Sequence, residues 1–274
     1  MPTKTHRFDT PKPVRLHLRS GRGTVQIVAE PVTETVVEVS GRHEGQQARV
    51  EASSDGRTIT VDVPRHRKLG NAPRLDITVH LPEGSYLDLG TASASIDASG
   101  PIAHAEVRAA SGAVSIEQVA GDVDARSASG EVRLGTIGGT VRLKTASGDL
   151  LVSSVGGVCN AATASGSIDV GWAGQTVSAK SASGAITVRD AVRGALDLRT
   201  TSGDVAVGVR KGTLVWLDLT TVSGRTSSNL APEAPASSAK EEMLTVRART
   251  VSGDITVAPS GSAGAGFDDR RQTA

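Results

Sequence analysis

The sequence predicts an all-β protein and, within that class, a single-domain β-solenoid of the parallel β-helix kind with an N-terminal β cap. Three observations carry the prediction. A Ser-Gly dipeptide recurs every 18 residues, and apolar residues alternate with polar ones on both sides of it. Aromatic residues make up only 2% of the 274 residues, whereas glycine occurs 31 times. A core of small aliphatic side chains suits thin, repeated layers better than one large globular interior.

The Ser-Gly dipeptides define the period of the repeat. Five of them follow one another at equal spacing, at Ser111, Ser129, Ser147, Ser165 and Ser183. The spacing then lengthens to 19, 21 and 29 residues, at Ser202, Ser223 and Ser252. Equal spacing over five successive units indicates a structural repeat in which each period is one coil.

Each coil is predicted to hold two short strands and two turns. Apolar residues stand three and five positions after each serine, as at Ile168 and Val170, and a second pair precedes it, as at Cys159 and Ala161. Alternation at period two is typical of a strand with one buried face. One coil cannot bury that face alone, so equivalent strands of successive coils are expected to pair in parallel. The turn glycines are expected to supply positive φ angles.

The regular repeat covers residues 86–258, with a low-complexity loop insertion at 228–243. Alternating apolar segments within residues 1–85 predict a cap of antiparallel strands or irregular first coils, which protects one end of the solenoid. After Ser223 the apolar positions are taken by Thr226 and Ser228, so the repeat weakens there. Residues 259–274 are predicted to be a disordered tail.

The overall charge balance excludes some classes of partner. The chain carries 30 basic and 29 acidic residues, a net charge of +1, so no nucleic-acid partner is predicted. No stretch has the apolar length of a signal peptide or of a transmembrane span. The default prediction is therefore a cytoplasmic location, with an extracellular one left open.

Several Ser-Gly units are followed by an acid and an aliphatic residue, as at residues 128–132, 146–150 and 251–255. Together with the strand-rich start after residues 7–11, these units resemble the DUF4097 family, a family of candidate adhesins, over residues 5–258. The resemblance implies a β-solenoid fold and a role as an interaction or sensing module, in some relatives within cell-envelope stress systems. It implies no catalytic residues.

No residue is predicted to be catalytic, to bind a cofactor or to ligate a metal. Cys159 occupies a ladder position held by valine in neighbouring coils, which indicates a buried structural thiol. The six histidines lack metal-ligand spacing. The acids after Ser-Gly, such as Asp149, are too sparse for a calcium-binding β-roll and are interpreted as solvated turn residues.

Four side chains are the candidate partner contacts: Trp216, Trp172, Arg133 and Arg142. Trp216 lies at an outward strand position near the looser end of the repeat and is the best single candidate. Arg133, Arg142 and Lys144 form the densest basic spot of the repeat. A basic cluster at residues 65–68 is interpreted as a solubilising loop.

The sequence therefore predicts a non-enzymatic scaffold that presents a flat surface to a partner. That partner is expected to be a protein, with a glycan or another envelope component as the alternative. Two other functions stay open: a carbohydrate-active β-helix enzyme, and a structural protein that self-associates edge to edge.

Overall fold

A computed structural model describes residues 3–41, 48–53, 56–63, 74–230 and 243–261. The described residues form β-strands and turns without any helix, as the sequence predicts. Hence no helix among them is long and apolar enough to cross a bilayer. The chain divides into two compact units, Met1–Gly139 (unit 1) and Thr140–Ala274 (unit 2). The predicted boundary at residue 85 stays a prediction.

Unit 1 contains thirteen strands within the described residues. They are β1 (Thr3–Asp9), β2 (Arg15–Ser20), β3 (Arg22–Glu30), β4 (Glu34–Gly41), β5 (Arg49–Ala52), β6 (Thr58–Asp62), β7 (Arg74–Pro82), β8 (Tyr86–Thr91), β9 (Ser95–Ile102), β10 (His104–Ala109), β11 (Val114–Val119), β12 (Val123–Arg126) and β13 (Val132–Ile137). Sheet 1A has the order β1-β4-β7-β3-β9-β11-β13, and sheet 1B has the order β5-β6-β2-β8-β10-β12.

Unit 2 contains twelve strands within the described residues. They are β14 (Val141–Lys144), β15 (Leu150–Val155), β16 (Cys159–Ser165), β17 (Ile168–Ala173), β18 (Val177–Ser183), β19 (Ile186–Ala191), β20 (Gly194–Arg199), β21 (Val205–Val209), β22 (Leu214–Ser223), β23 (Thr226–Ser228), β24 (Met243–Ser252) and β25 (Ile255–Pro259). Sheet 2A has the order β15-β17-β19-β21-β25-β23, and sheet 2B has the order β14-β16-β18-β20-β24-β22.

Each coil contributes one strand to each sheet of its unit, and the inward side chains form the core between the sheets. Neighbouring coils pair in parallel and in register, so that like positions stack on like: Cys159 lies between Val141 and Val177, and all three are fully buried. This confirms the predicted solenoid and the ladder position of Cys159. Each sheet contributes a single layer of side chains to this core, and small aliphatic side chains fill so thin a space.

The order of coils departs from the chain order at the end of unit 2. Strand β24 pairs with β20 on one side and with β22 on the other, and β25 lies in the same way between β21 and β23. The coil formed by β24 and β25 is therefore inserted beneath the coil that precedes it in sequence. The simple expectation that each coil stacks on the one before it fails here.

The start of unit 1 shows the same exchange. Strand β2 lies in parallel between β6 and β8, and β3 lies in parallel between β7 and β9. The first coil of the chain is thus covered by the second coil on its outer side. Antiparallel strands then follow, with β5 on β6, β4 on β7 and β1 on β4. The cap of residues 1–85 consequently mixes true parallel coils with an antiparallel outer layer.

Candidate functional site

The Ser-Gly turns of both units are structural. A Cβ added to Gly184 would lie 2.0 Å from the carbonyl oxygen of Gly166, and one added to Gly166 would lie 2.3 Å from that of Gly148. Neither Gly166 nor Gly184 has a positive φ. Glycine is needed at these turns because the backbones of successive coils approach closely. The predicted reason, a positive φ, applies to the later turns, such as Gly203 with a φ of 151°.

Hydroxyl groups two residues before Ser-Gly link successive turns. The Oγ of Ser181 donates to the carbonyl oxygen of Gly166 at 3.2 Å, and the Oγ1 of Thr200 donates to that of Gly184 at 3.0 Å. In unit 1 the Oγ of Ser127 instead accepts the N–H of Gly130 at 2.9 Å. These side chains satisfy turn groups that would otherwise be buried without partners.

The acids after Ser-Gly also serve the backbone. An Oδ1 of Asp149 accepts the N–H of Ser167 at 2.7 Å, and an Oδ1 of Asp204 accepts the N–H of Asp254 at 2.8 Å. Asp254 in turn accepts the N–H of Arg225 at 2.8 Å. The carboxylates therefore close the turn of the neighbouring coil, a role more specific than the solvated turn residue that the sequence indicates.

The remaining chemically reactive side chains do not assemble into a centre. Among the described residues, no three His, Cys, Asp or Glu side chains are placed to hold a metal ion. Burial raises the pKa of the Cys159 thiol to about 12, so the thiol stays protonated at neutral pH. His43, His66 and the basic cluster at residues 65–68 lie outside the described residues.

The outer face of sheet 1B is electrically balanced. Five arginines, namely Arg15, Arg19, Arg49, Arg108 and Arg126, stand against five carboxylates, namely Glu51, Asp62, Asp88, Glu106 and Asp124. Four ion pairs join them, among them Arg19 with Asp88 at 2.9 Å. Burial alone would raise the pKa of Asp88, but hydrogen bonds with Arg19 and His17 outweigh it and hold this pKa below its usual value.

An aromatic pair completes the sheet 1B face. The rings of Tyr86 and His104 are stacked, with centroids 4.8 Å apart, and the Arg15 guanidinium lies 5.6 Å from the Tyr86 centroid. Both faces of the tyrosine ring are therefore engaged within the protein. The arrangement stabilises three adjacent strands.

The outer face of sheet 2B, which we call the 2B face, is strongly basic. Six cations project from it, namely Arg142, Lys144, Lys180, Arg199, Arg247 and Arg249, against only two carboxylates, Asp197 and Asp218. Arg199 pairs with Asp197 at 2.9 Å, and Asp218 pairs with both Arg247 at 3.1 Å and Arg249 at 3.4 Å. Among the described residues, Arg142, Lys144 and Lys180 form no ion pair.

The cations of the 2B face follow the ladder. Lys180, Arg199 and Arg249 occupy the same register on the adjacent strands β18, β20 and β24. Neighbouring strands lie about 4.8 Å apart, so these charges form a closely spaced row. Like charges at this spacing repel one another, and a partner with matching negative charge would relieve that repulsion.

The four predicted contact residues are separated by the fold. Arg142 and Trp216 both lie on the 2B face, on β14 and β22, with four strands between them. Arg133 lies on sheet 1A and pairs with Glu131 at 2.8 Å. Trp172 is half-buried on sheet 2A, where its ring covers Gly174 so closely that an added Cβ would meet it at 2.7 Å.

Trp216 belongs to an exposed apolar group at the β22 edge of the 2B face. Its side chain is 47% exposed, with Leu214 and Met243 exposed near it, and Val222 and Val251 are exposed at the other end of the same two strands. Sequence reasoning identified Trp216 from its alternation but missed the row of cations, since residues far apart in the sequence supply it. The cations become visible as a row once the strands are aligned in their parallel register.

Comparison with known proteins identifies the fold. The model of the Toastrack DUF4097 family matches residues 14–258. A structure of a candidate adhesin from Bacteroides fragilis is similar at 12% identity and a TM-score of 0.48, covering 93% of this chain and 97% of that one. A candidate lipid-binding protein from Parabacteroides distasonis is similar at 15% identity, 93% and 96% coverage and a TM-score of 0.48. No curated protein sequence matches the chain significantly.

Proposed function

The chain belongs to the Toastrack DUF4097 family, and we propose that it is a non-enzymatic, adhesin-like interaction module that binds an acidic partner through the 2B face. The observation that carries the proposal is the charge of this face. Six cations stand against two carboxylates there, whereas the equivalent face of sheet 1B holds equal numbers of each.

A comparison of the outer faces of sheets 1B and 2B shows which charges the fold requires. Both faces are built from the same parallel coils, so the solenoid itself requires no excess of either charge. On sheet 1B, Asp88, Glu106 and Asp124 stand in register on adjacent strands, and each pairs with an arginine. On sheet 2B the corresponding positions in the first coils are Arg142, Asn160 and Ser178. The uncompensated cations cost stability through repulsion, so a binding role accounts for them best.

The chemistry of the 2B face favours a partner with regularly spaced negative charge. Its cations repeat from strand to strand at about 4.8 Å. An acidic protein surface fits this arrangement, and an acidic polysaccharide is the second candidate because linear anionic polymers also repeat their charges. The link to envelope stress and the cytoplasmic location stay predictions.

The absence of a catalytic role is part of the proposal. Carbohydrate-active β-helix enzymes need carboxyl groups that converge on one bond, with separations set by the reaction stereochemistry. On the described faces, carboxylates such as Asp88 and Asp149 instead pair with arginine or accept backbone N–H groups. The pKa of Asp88 is held below its usual value, mainly by hydrogen bonds with Arg19 and His17, which makes this carboxyl group a poor general acid.

A charge-reversal experiment tests the proposal. Binding of poly-L-glutamate and of heparin is measured by titration calorimetry at two salt concentrations, with neutral dextran as the blank. The Lys144→Glu, Lys180→Glu double variant should weaken binding of the true partner class by about tenfold or more, since each contact contributes on the order of 1 kcal/mol. Poly-L-glutamate and heparin distinguish a protein from a glycan partner.

The matched control carries the same change of net charge elsewhere. Lys4 and Lys12 are exposed in unit 1, so the Lys4→Glu, Lys12→Glu double variant should bind as the wild type does. Equal losses in both variants would mean that net charge alone drives binding. Unchanged affinity in the Lys144→Glu, Lys180→Glu variant would remove the 2B face from the proposal.

A further inference from the structure

The edge strands of the two units differ in how well they are protected against pairing. In unit 1, β1 and β5 carry charged side chains along most of their exposed length. In unit 2, β23 has only three residues, all polar and exposed. Short, charged or polar edges are the devices by which β proteins avoid edge-to-edge association.

Strand β22 lacks all of these devices. It is ten residues long, contains no proline, lysine or arginine, and has Asp218 as its single charge. Its inward residues Val215, Leu217 and Leu219 are only half-buried, although equivalent residues on inner strands are fully buried. The inner layer of the solenoid is therefore incomplete at this edge.

Among the described residues, one side of the β22 backbone has no strand paired with it. The carbonyl oxygen of Ser223 accepts the N–H of Gly253, so odd-numbered residues of β22 direct their backbone groups toward β24. Backbone groups alternate in direction along a strand, so the even-numbered residues, from Leu214 to Val222, direct theirs toward the free edge. An incoming strand would find a row of donors and acceptors there.

We propose that β22 pairs antiparallel with β22 of a second copy of this chain, about a two-fold axis at Leu219. Pairing must oppose even-numbered residues to even-numbered ones, because only these direct backbone groups to the free edge. A two-fold axis therefore passes through a single residue. The three central choices are Asp218, Leu219 and Thr220, and side-chain chemistry decides among them.

A two-fold axis at Leu219 gives the register in which the opposed side chains are chemically compatible. It places Trp216 opposite Val222 and Asp218 opposite Thr220, with the two Leu219 side chains facing each other in the inner layer. An axis at Asp218 would oppose two carboxylates, and one at Thr220 would set Asp218 against Val222. Trp216 and Val222 are 47% and 79% exposed, so the favoured register covers the two most exposed apolar side chains of the strand.

The proposed contact is small, so association should be weak and should depend on concentration. A single pair of edge strands buries less area than a standard stable interface. Sedimentation velocity should show a monomer at low micromolar concentration and a rising dimer fraction as the concentration approaches about 1 mM. A strict monomer over that range, as expected if another segment of the chain covers the edge, would overturn the proposal.

Cross-linking tests the register. In a Cys159→Val background, Leu219→Cys places two thiols on the two-fold axis, where opposed Cα atoms are about 4.5–5.5 Å apart and a disulfide can form. Leu217→Cys is the matched control, because its two copies would be about 13 Å apart along the strands. Oxidation should give a disulfide dimer at least tenfold faster with Leu219→Cys. Equal rates would refute the register.

A proline variant tests the edge itself. The N–H of Thr220 faces the free edge, so Thr220→Pro removes a donor that the monomer does not use, whereas Thr220→Ala keeps it. Thr220→Pro should abolish the dimer with an unchanged circular dichroism spectrum, and Thr220→Ala should retain it. Retention of the dimer by the folded Thr220→Pro protein contradicts the proposal. Association through β22 is independent of the lysines of the 2B face, so failure of either proposal leaves the other testable.

Discussion

Substitution of Gly184 by alanine measures how closely the coils of unit 2 are packed. An added Cβ would lie 2.0 Å from the carbonyl oxygen of Gly166 and 2.6 Å from its carbonyl carbon. Both contacts are with backbone atoms, so no side-chain rotation relieves them. To restore an ordinary contact, the two turns must separate by more than about 1 Å, which changes the pairing of the coils on either side.

The magnitude follows from the bonds that this separation stretches. Gly166 donates its N–H to the carbonyl oxygen of Ser183 at 3.1 Å, and the Oγ of Ser181 donates to the carbonyl oxygen of Gly166 at 3.2 Å. Each contributes about 1 kcal/mol net, and the strain of overpacking adds about 1–3 kcal/mol. Alanine restricts the unfolded chain and returns about 0.5–1 kcal/mol. We expect Gly184→Ala to lower the free energy of unfolding by about 3 kcal/mol.

Urea unfolding of Gly184→Ala beside Gly212→Ala separates close approach from backbone conformation. Gly212 has a φ of +83° and no atom within 4 Å of an added Cβ, so only the left-handed conformation resists alanine there. That cost should be about 1 kcal/mol. If Gly184→Ala is no more destabilising than Gly212→Ala, close packing of the turns is not the reason for the repeated glycine.

Three further predictions address other parts of the chain. Cys159 should not react with a thiol reagent in the folded protein. Because burial raises its pKa from 9.0 to about 12, the free energy of unfolding should fall by about 1.4 kcal/mol per pH unit between those two pH values. Cys159→Val should lack this part of the loss, and equal pH dependence in both proteins would contradict the assignment. Asp204→Ala should lower the free energy of unfolding by about 1–2 kcal/mol. Asp204→Asn should lower it by clearly less, since an amide oxygen can still accept the N–H of Asp254. Equal losses of stability in the two variants would show that the negative charge matters and the accepted hydrogen bond does not. In hydrogen exchange, amides of β24 should exchange at least tenfold more slowly than those of β22, because β24 lies between two strands; the reverse order would place β24 at the edge.

The architecture of the coils could be predicted from the sequence because it rests on local, repeated chemistry. Period-two alternation sets which side chains point inward, and the constant 18-residue spacing sets the register of one coil on the next. Cys159 illustrates this: its identity is unusual, but its position in the repeat was enough to place it in the core between Val141 and Val177.

The candidate site could be predicted only in part, because its charges come together through the register. The sequence brings Arg142 and Lys144 together as neighbours, but Lys180, Arg199 and Arg249 become one row only when β18, β20 and β24 lie side by side. The adjacency of Arg199 and Arg249 depends on the exchanged coil order. A stacking in sequence order would have placed β22, with Asp218 and Thr220, next to Arg199 instead.

The exchange of the last two coils follows from their burial. Thr226 and Ser228 stand in register with the inward residues Ile255 and Val257, so whichever coil lies inside must bury its own pair. Stacking in sequence order would bury two hydroxyl groups, at about 1–3 kcal/mol each, and leave Ile255 and Val257 at the edge, at about 1.5–3 kcal/mol each. The observed order avoids a cost on the order of 5–12 kcal/mol. The connection between β23 and β24 is longer as a result, but closing a loop of twice the length costs only about 0.6 kcal/mol more. The 29-residue spacing from Ser223 to Ser252 supplies the extra length that this order needs, and among the described strands the polar coil is left outermost, with β22 at the end of its sheet.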